Sequence, residues 1–130
     1  MRIGGTGDDG GRLARRWRLE TVPNLAPWQD TLVRWSGALA GGLVLTIAYV
    51  PDRLVLTPQA FVAYLDSLRA APLPTLEQVV VTALEDMNNQ LVPRWVRASA
   101  SLDQEGIHHH ATVTDRQPGW NNPHLFTESA

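Results

Sequence analysis

A chain of 130 residues that is 44% hydrophobic and 18% charged has the size and composition of one domain with one core, and no room for a second. Its formal net charge is −2, and apart from Arg12, Arg15, Arg16 and Arg18 the basic residues are dispersed, which speaks against a nucleic-acid partner. It contains no cysteine, so disulfides, thiolate metal sites and thiol nucleophiles are excluded together.

Residues 1–20 read as a flexible N-terminal tail. Met1 to Gly11 is rich in Gly and Asp where a secretion signal needs an apolar stretch, so the cytoplasm is the expected location. Arg12 to Arg18 is flanked by Asp8, Asp9 and Glu20 and reads as a solvated segment or a partner contact. The folded domain is expected over residues 21–116. Its first elements are Leu32–Ala38 and Leu43–Val50, apolar segments flanking Gly41-Gly42 in the manner of a hairpin with a glycine turn, with Pro51 ending the second strand. The longest apolar run, Gly37 to Val50, falls well short of the roughly 20 residues of a membrane helix, so no membrane partner is expected.

Thr57-Pro58 supplies a helix N-cap followed by proline at the first helical position, and Phe61, Tyr64, Leu65 and Leu68 recur at helical spacing. Beyond the break at Pro72–Pro74, Thr75 and Gln78 form a capping box. Leu76, Val79, Val80, Ala83, Leu84, Met87 and Leu91 then define a second buried stripe, which leaves Glu85-Asp86 on the solvent face. From Trp95, itself expected in the core, the period becomes two. Val96, Ala98, Ala100 and Leu102 share one face and, after a turn at Asp103–Gly106, Ile107, His109, Ala111 and Val113 share it too. Residues 117–130, with Pro118, Gly119, Asn121, Asn122 and Pro123, read as an irregular C-terminal arm. Two strands, two helices and two strands imply an α+β domain, an antiparallel four-stranded sheet with both helices on one face.

This order is also that of the tunnelling fold, and particular residues sharpen the likeness. Tyr49-Val50-Pro51-Asp52, Tyr64-Leu65, Ser67 with Arg69, Glu77, Pro93-Arg94-Trp95, Gly106-Ile107 and Pro118-Gly119 follow the order and near-spacing of the QueF family, the NADPH-dependent nitrile reductases of queuosine biosynthesis. The chain resembles that family over roughly residues 43–119. The resemblance implies an oligomeric barrel closed through sheet edges, hence a homo-oligomer, with binding sites between subunits. Pairing of edges between copies also shields strand edges that would otherwise aggregate.

Against the family pattern, the stretch Val33–Gly42 holds neither the cysteine that attacks the nitrile nor the aspartate that assists with protons. Thr57-Pro58-Gln59 stands where the family carries its Glu-Ser-Lys cofactor signature, and Leu76 stands in place of the histidine before the binding glutamate. A hydroxyl needs a neighbouring base to act as a thiolate does. These departures imply a family scaffold without nitrile reductase activity; no cofactor is predicted and NADPH is not expected.

What the resemblance does carry over is Glu77, whose carboxylate would accept two parallel N–H bonds from the edge of a purine- or pterin-like heterocycle at a subunit interface. The same residue in the first turn of a helix is explained equally by the helix dipole, which leaves a catalytically inactive structural or partner subunit as the alternative. Trp28 and Trp35, beside the altered catalytic strand, are candidates to line the pocket. His108 and His110 share one face of the last strand and would suit zinc in a metal-assisted enzyme, with His124 the only other histidine that could complete a site. No catalytic residue is assigned.

Overall fold

The structure, a computed structural model, describes residues 6–127, with side chains from residue 11 onward. In chain order it comprises α1 (Thr6–Trp17), β1 (Thr21–Pro23), β2 (Val33–Ala38), β3 (Val44–Val50), β4 (Leu54–Leu56), α2 (Pro58–Arg69), α3 (Leu76–Leu91), β5 (Trp95–Gln104), β6 (Ile107–Arg116) and α4 (His124–Thr127). Strands β2, β3, β5 and β6 form one sheet in that order, every pairing antiparallel, while β1 and β4 make a separate two-stranded ribbon. The α+β architecture with α2 and α3 over one face is as the hydrophobic periods require.

The N-cap signals act as expected, although the Gln78 side chain meets the Thr75 hydroxyl at 3.4 Å and not the Thr75 backbone N–H that a full capping box would engage. Thr57 Oγ1 accepts the Ala60 N–H at 3.1 Å with Pro58 opening α2, and Thr75 Oγ1 accepts the Gln78 N–H at 3.1 Å to open α3. Each bond satisfies a donor that the first helical turn would otherwise leave orphaned. Between β2 and β3 the chain turns through Gly41 and Gly42, at φ 75° and 85°, a left-handed geometry that costs glycine little. Helix α3 ends at Val92 in a left-handed conformation, φ 45°, and Pro93 prevents its continuation.

One face of the sheet supplies Leu45, Ile47, Tyr49, Val96, Ala98 and Ala100 to the core, and the helices supply Phe61, Tyr64, Leu65, Leu68, Val79, Val80, Ala83, Met87 and Leu91. Gly37 lets α2 lie close on β2, since a Cβ there would stand 2.3 Å from Leu65 Cδ1. The opposite face is polar, with a hydroxyl pair at 2.8 Å between Ser36 and Thr46 and another at 3.1 Å between Ser99 and Thr112. Among the described residues no helix is long and apolar enough to cross a membrane.

Both chain ends depart from the sequence expectation. Residues 6–17 of the expected tail are helical, and α1 packs against α2 and α3. The cause is Asp86, expected on the solvent face of α3 but 1% exposed. Its carboxylate accepts from Arg15 Nε at 2.9 Å, Arg16 Nε at 2.8 Å and the Tyr64 hydroxyl at 2.7 Å. Two guanidiniums are thereby drawn onto the helical layer, and Leu19 follows them into the core at 1% exposure. The C-terminal arm folds back over the polar face, where Trp120, Leu125 and Phe126 pack on a second small cluster of Ala48, Val50 and Trp95. Trp95 is thus buried, on the side of the sheet away from the helices, with its ring 4.6 Å from that of Phe126.

Candidate functional site

Several residues that carry the family likeness meet at one end of the sheet and act together as a clamp. Arg94 donates to the Gln29 carbonyl at 3.1 Å, to the Pro27 carbonyl, and to the carboxylates of Asp30 at 3.1 Å and Asp52 at 3.2 Å. Gln117 Nε2 donates to the other Asp52 oxygen at 3.1 Å. Trp120 Nε1 and Asn122 Nδ2 donate to Asp30 at 3.3 and 3.0 Å. The Tyr-x-Pro-Asp turn, the Pro-Arg-Trp segment and the chain around Pro118-Gly119 are therefore one hydrogen-bonded unit. Within it the Arg94 guanidinium ties the loop before β2, through Pro27, Gln29 and Asp30, to Asp52 in the turn after β3.

Glu77 lies at the other end. It occupies the first turn of α3 and its side chain is 65% exposed. Helix entry at Thr75 places it beside the tip of the β5–β6 hairpin, where His109 Nε2 stands 3.2 Å from Glu77 Oε2. The carboxyl is held below its usual range, first by its own backbone N–H at the helix start and then by the His109 imidazole. Glu77 and His109 share an open cleft of about 320 Å³ whose other polar lining is Thr75 and Gln104, against Leu73 and Leu102. The cleft brings acceptors, donors and an apolar wall to one place, the combination that orients a small flat ligand.

The sequence leaves the place of the family's histidine empty at Leu76, and Leu76 is buried in the core. A histidine nevertheless reaches the glutamate, from β6 rather than from the adjacent position. Alternation along the strand puts His109 on the helix-covered side, and this much was readable. Which residue of α3 it would meet was not, because that depends on how far α3 slides along the sheet.

Trp28 and Trp35 stand apart from Glu77 in this chain. Trp28 is 76% exposed in the loop that Arg94 clamps, near the C-terminal end of β3. Glu77 sits by the strand's beginning, across seven residues or about 20 Å of strand. Trp35 is half-buried in the middle of β2, its ring 5.6 Å from Phe61. Its Nε1 is buried and makes no hydrogen bond, although it lies near enough to the Tyr49 hydroxyl to weigh on its ionisation.

His108 and His110 stack on the polar face at 6.4 Å between ring centroids, and His108 Nδ1 lies 2.6 Å from Asp103 Oδ1. His124 is in α4. Among the described residues no three metal-ligating side chains come together.

A four-stranded antiparallel sheet backed by two long helices matches a QueF-like fold. The crystal structure of an archaeosine synthase QueF-Like in the apo form matches 66% of this chain and 90% of its own, with a TM-score of 0.53 at 18% identity. No family model matches the chain. The NADPH-dependent 7-cyano-7-deazaguanine reductase of Syntrophus aciditrophicus (strain SB), however, is 32% identical over 125 residues, covering 87% of this chain and 89% of the relative. The chain belongs to the 7-cyano-7-deazaguanine reductase (QueF) family.

Proposed function

We propose that this QueF-family chain binds a purine- or pterin-like planar heterocycle through Glu77, at an interface between copies of itself, and does not reduce nitriles. The observation that carries the reading is the Glu77 carboxylate itself. It is solvent-accessible, held ionised, and set over an apolar-walled cleft of about 320 Å³, near the lower bound of roughly 300 Å³ for ligand sites. Such a volume suits one bicyclic ring system. A carboxylate placed there accepts two parallel N–H bonds in one plane, as a guanine-like edge requires.

Assembly is favoured by the strand order. β2 and β6 are both edges of the sheet, and the outer side of the ten-residue β6 has no strand partner among the described residues. Joining such edges between copies is the tunnelling-fold solution and satisfies their backbone groups. It would also bring elements from opposite ends of neighbouring sheets together, allowing Trp28 of one copy to approach Glu77 of another.

The reductase chemistry has no carrier in the sequence. Without cysteine the chain has no thiol to form a thioimide. Residues 57–59 do not fit the cofactor signature. The Thr57 hydroxyl accepts the Ala60 N–H to start α2, Pro58 has no N–H and Gln59 has no charge, so no step is assigned through NADPH.

Calorimetric titration of the assembled protein with guanine-, deazaguanine- and pterin-type compounds tests the reading, with Glu77→Gln as the control. Saturable binding that the substitution removes supports it. Absence of binding across the panel would reject it and leave Glu77 as a helix-capping residue of a structural subunit.

A further inference from the structure

The Glu77–His109 contact joins residues 32 positions apart, from α3 and β6. It contributes little to stability, because the two side chains are 65% and 46% exposed and pairs in such high-dielectric surroundings are nearly neutral. Its geometry is informative all the same. An ionised carboxylate only accepts hydrogen bonds, so the imidazole nitrogen facing it, Nε2 at 3.2 Å, carries the hydrogen and donates. Each carboxylate oxygen has two lone-pair sites. Oε2 can accept from His109 on one side and keep a site for a ligand, and with its own backbone N–H taking one further site the carboxylate still has lone pairs open to the cleft. The effect of the imidazole is to stop the carboxylate rotating about its last, broad torsion and to present both oxygens in one plane over the cleft.

We infer that His109 is the positioning residue of the Glu77 site, fixing a two-acceptor fork that selects ligands with two adjacent N–H donors. The inference rests on the heterocycle reading above and refines it. Other polar groups at the cleft, Thr75 and Gln104, lie where they can meet the remaining edge of such a ligand. Among the described residues of this chain that line the cleft none is Arg or Lys. The ligand is therefore an uncharged base or pterin rather than a nucleotide, whose phosphates would call for cationic partners.

The test compares guanine, which offers a ring N–H and an adjacent amino group, with hypoxanthine, which lacks the amino group, on wild-type protein and on His109→Ala and His109→Gln. His109→Ala is expected to weaken guanine binding roughly tenfold, the scale of one charge-assisted hydrogen bond. It should leave hypoxanthine binding nearly unchanged, so that discrimination narrows. His109→Gln, whose amide can donate to the same oxygen, restores guanine binding to within about threefold. Both variants keep the unfolding temperature within about 2 °C. Guanine binding unchanged in His109→Ala, or equally weak in both variants, overturns the positioning role while leaving the Glu77 site intact. No binding by the wild type, or binding indifferent to Glu77→Gln, removes the site and this inference with it.

Discussion

Replacing Asp86 by alanine tests the helical layer at its most polar point. The carboxylate is 1% exposed and accepts three hydrogen bonds, from Arg15, Arg16 and Tyr64. Removing one member of a buried ionic network leaves the others desolvated and costs about 3–5 kcal/mol. The lower part of that range applies here, because the Arg15 and Arg16 side chains retain 9% and 16% exposure and can turn toward water once released. The Tyr64 hydroxyl has no such exit, being fully buried, and an unsatisfied buried hydroxyl adds about 1–3 kcal/mol to the penalty for a rigid site. A net loss near 4 kcal/mol would lower the unfolding temperature by about 15 °C in a domain of this size. Thermal unfolding followed by circular dichroism measures this. Limited trypsin digestion adds an independent view, since α1 carries its arginines against Asp86 and cleavage after Arg15 and Arg16 should accelerate in the variant. An unfolding temperature within about 3 °C of wild type, with equal digestion rates, would refute the reasoning that Asp86 holds α1 in place.

The hydroxyl of Tyr64 titrates well above the ordinary tyrosine range, first because it is buried and then because Asp86 lies beside it and accepts its proton in a hydrogen bond. A pKa raised in the folded state gives stability that is complete below the unfolded value of about 10 and declines as pH rises beyond it. Stability measured by urea denaturation should therefore fall between about pH 10 and 11 in wild type, and less steeply in Tyr64→Phe. Arg94→Lys should destabilise by about 2–3 kcal/mol, although charge is conserved, because an ammonium cannot reproduce a fork that reaches two carbonyls and two carboxylates at once. A shift in the urea midpoint equal to experimental error would contradict the clamp.

What the sequence made legible follows from the range of the forces involved. Helices α2 and α3 declare themselves through Thr57-Pro58 and Thr75, whose capping bonds span three residues. The sheet declares itself through alternation and the Gly41-Gly42 turn. Helix α1 was hidden because a Gly-rich segment has little intrinsic helical preference, and what orders it is a carboxylate 71 residues away from Arg15. Asp86 was misplaced for a related reason. It follows Val79 and Ala83 at the spacing of the buried stripe, yet its charge assigned it to solvent until the arginines were seen. At the candidate site Glu77 was identified from its place in the family pattern, and its partner was not. The side of the sheet on which His109 falls is a local property, whereas its meeting with α3 depends on tertiary packing.

The most direct measurement is a titration of the assembled wild-type protein with 7-cyano-7-deazaguanine in the presence of NADPH, following binding heat and nicotinamide absorbance in the same sample. Saturable binding, lost in Glu77→Gln, is expected, with no oxidation of NADPH and no covalent adduct by mass. Steady NADPH oxidation dependent on the nitrile would contradict the loss of reductase chemistry, and the absence of any binding heat would contradict the Glu77 site.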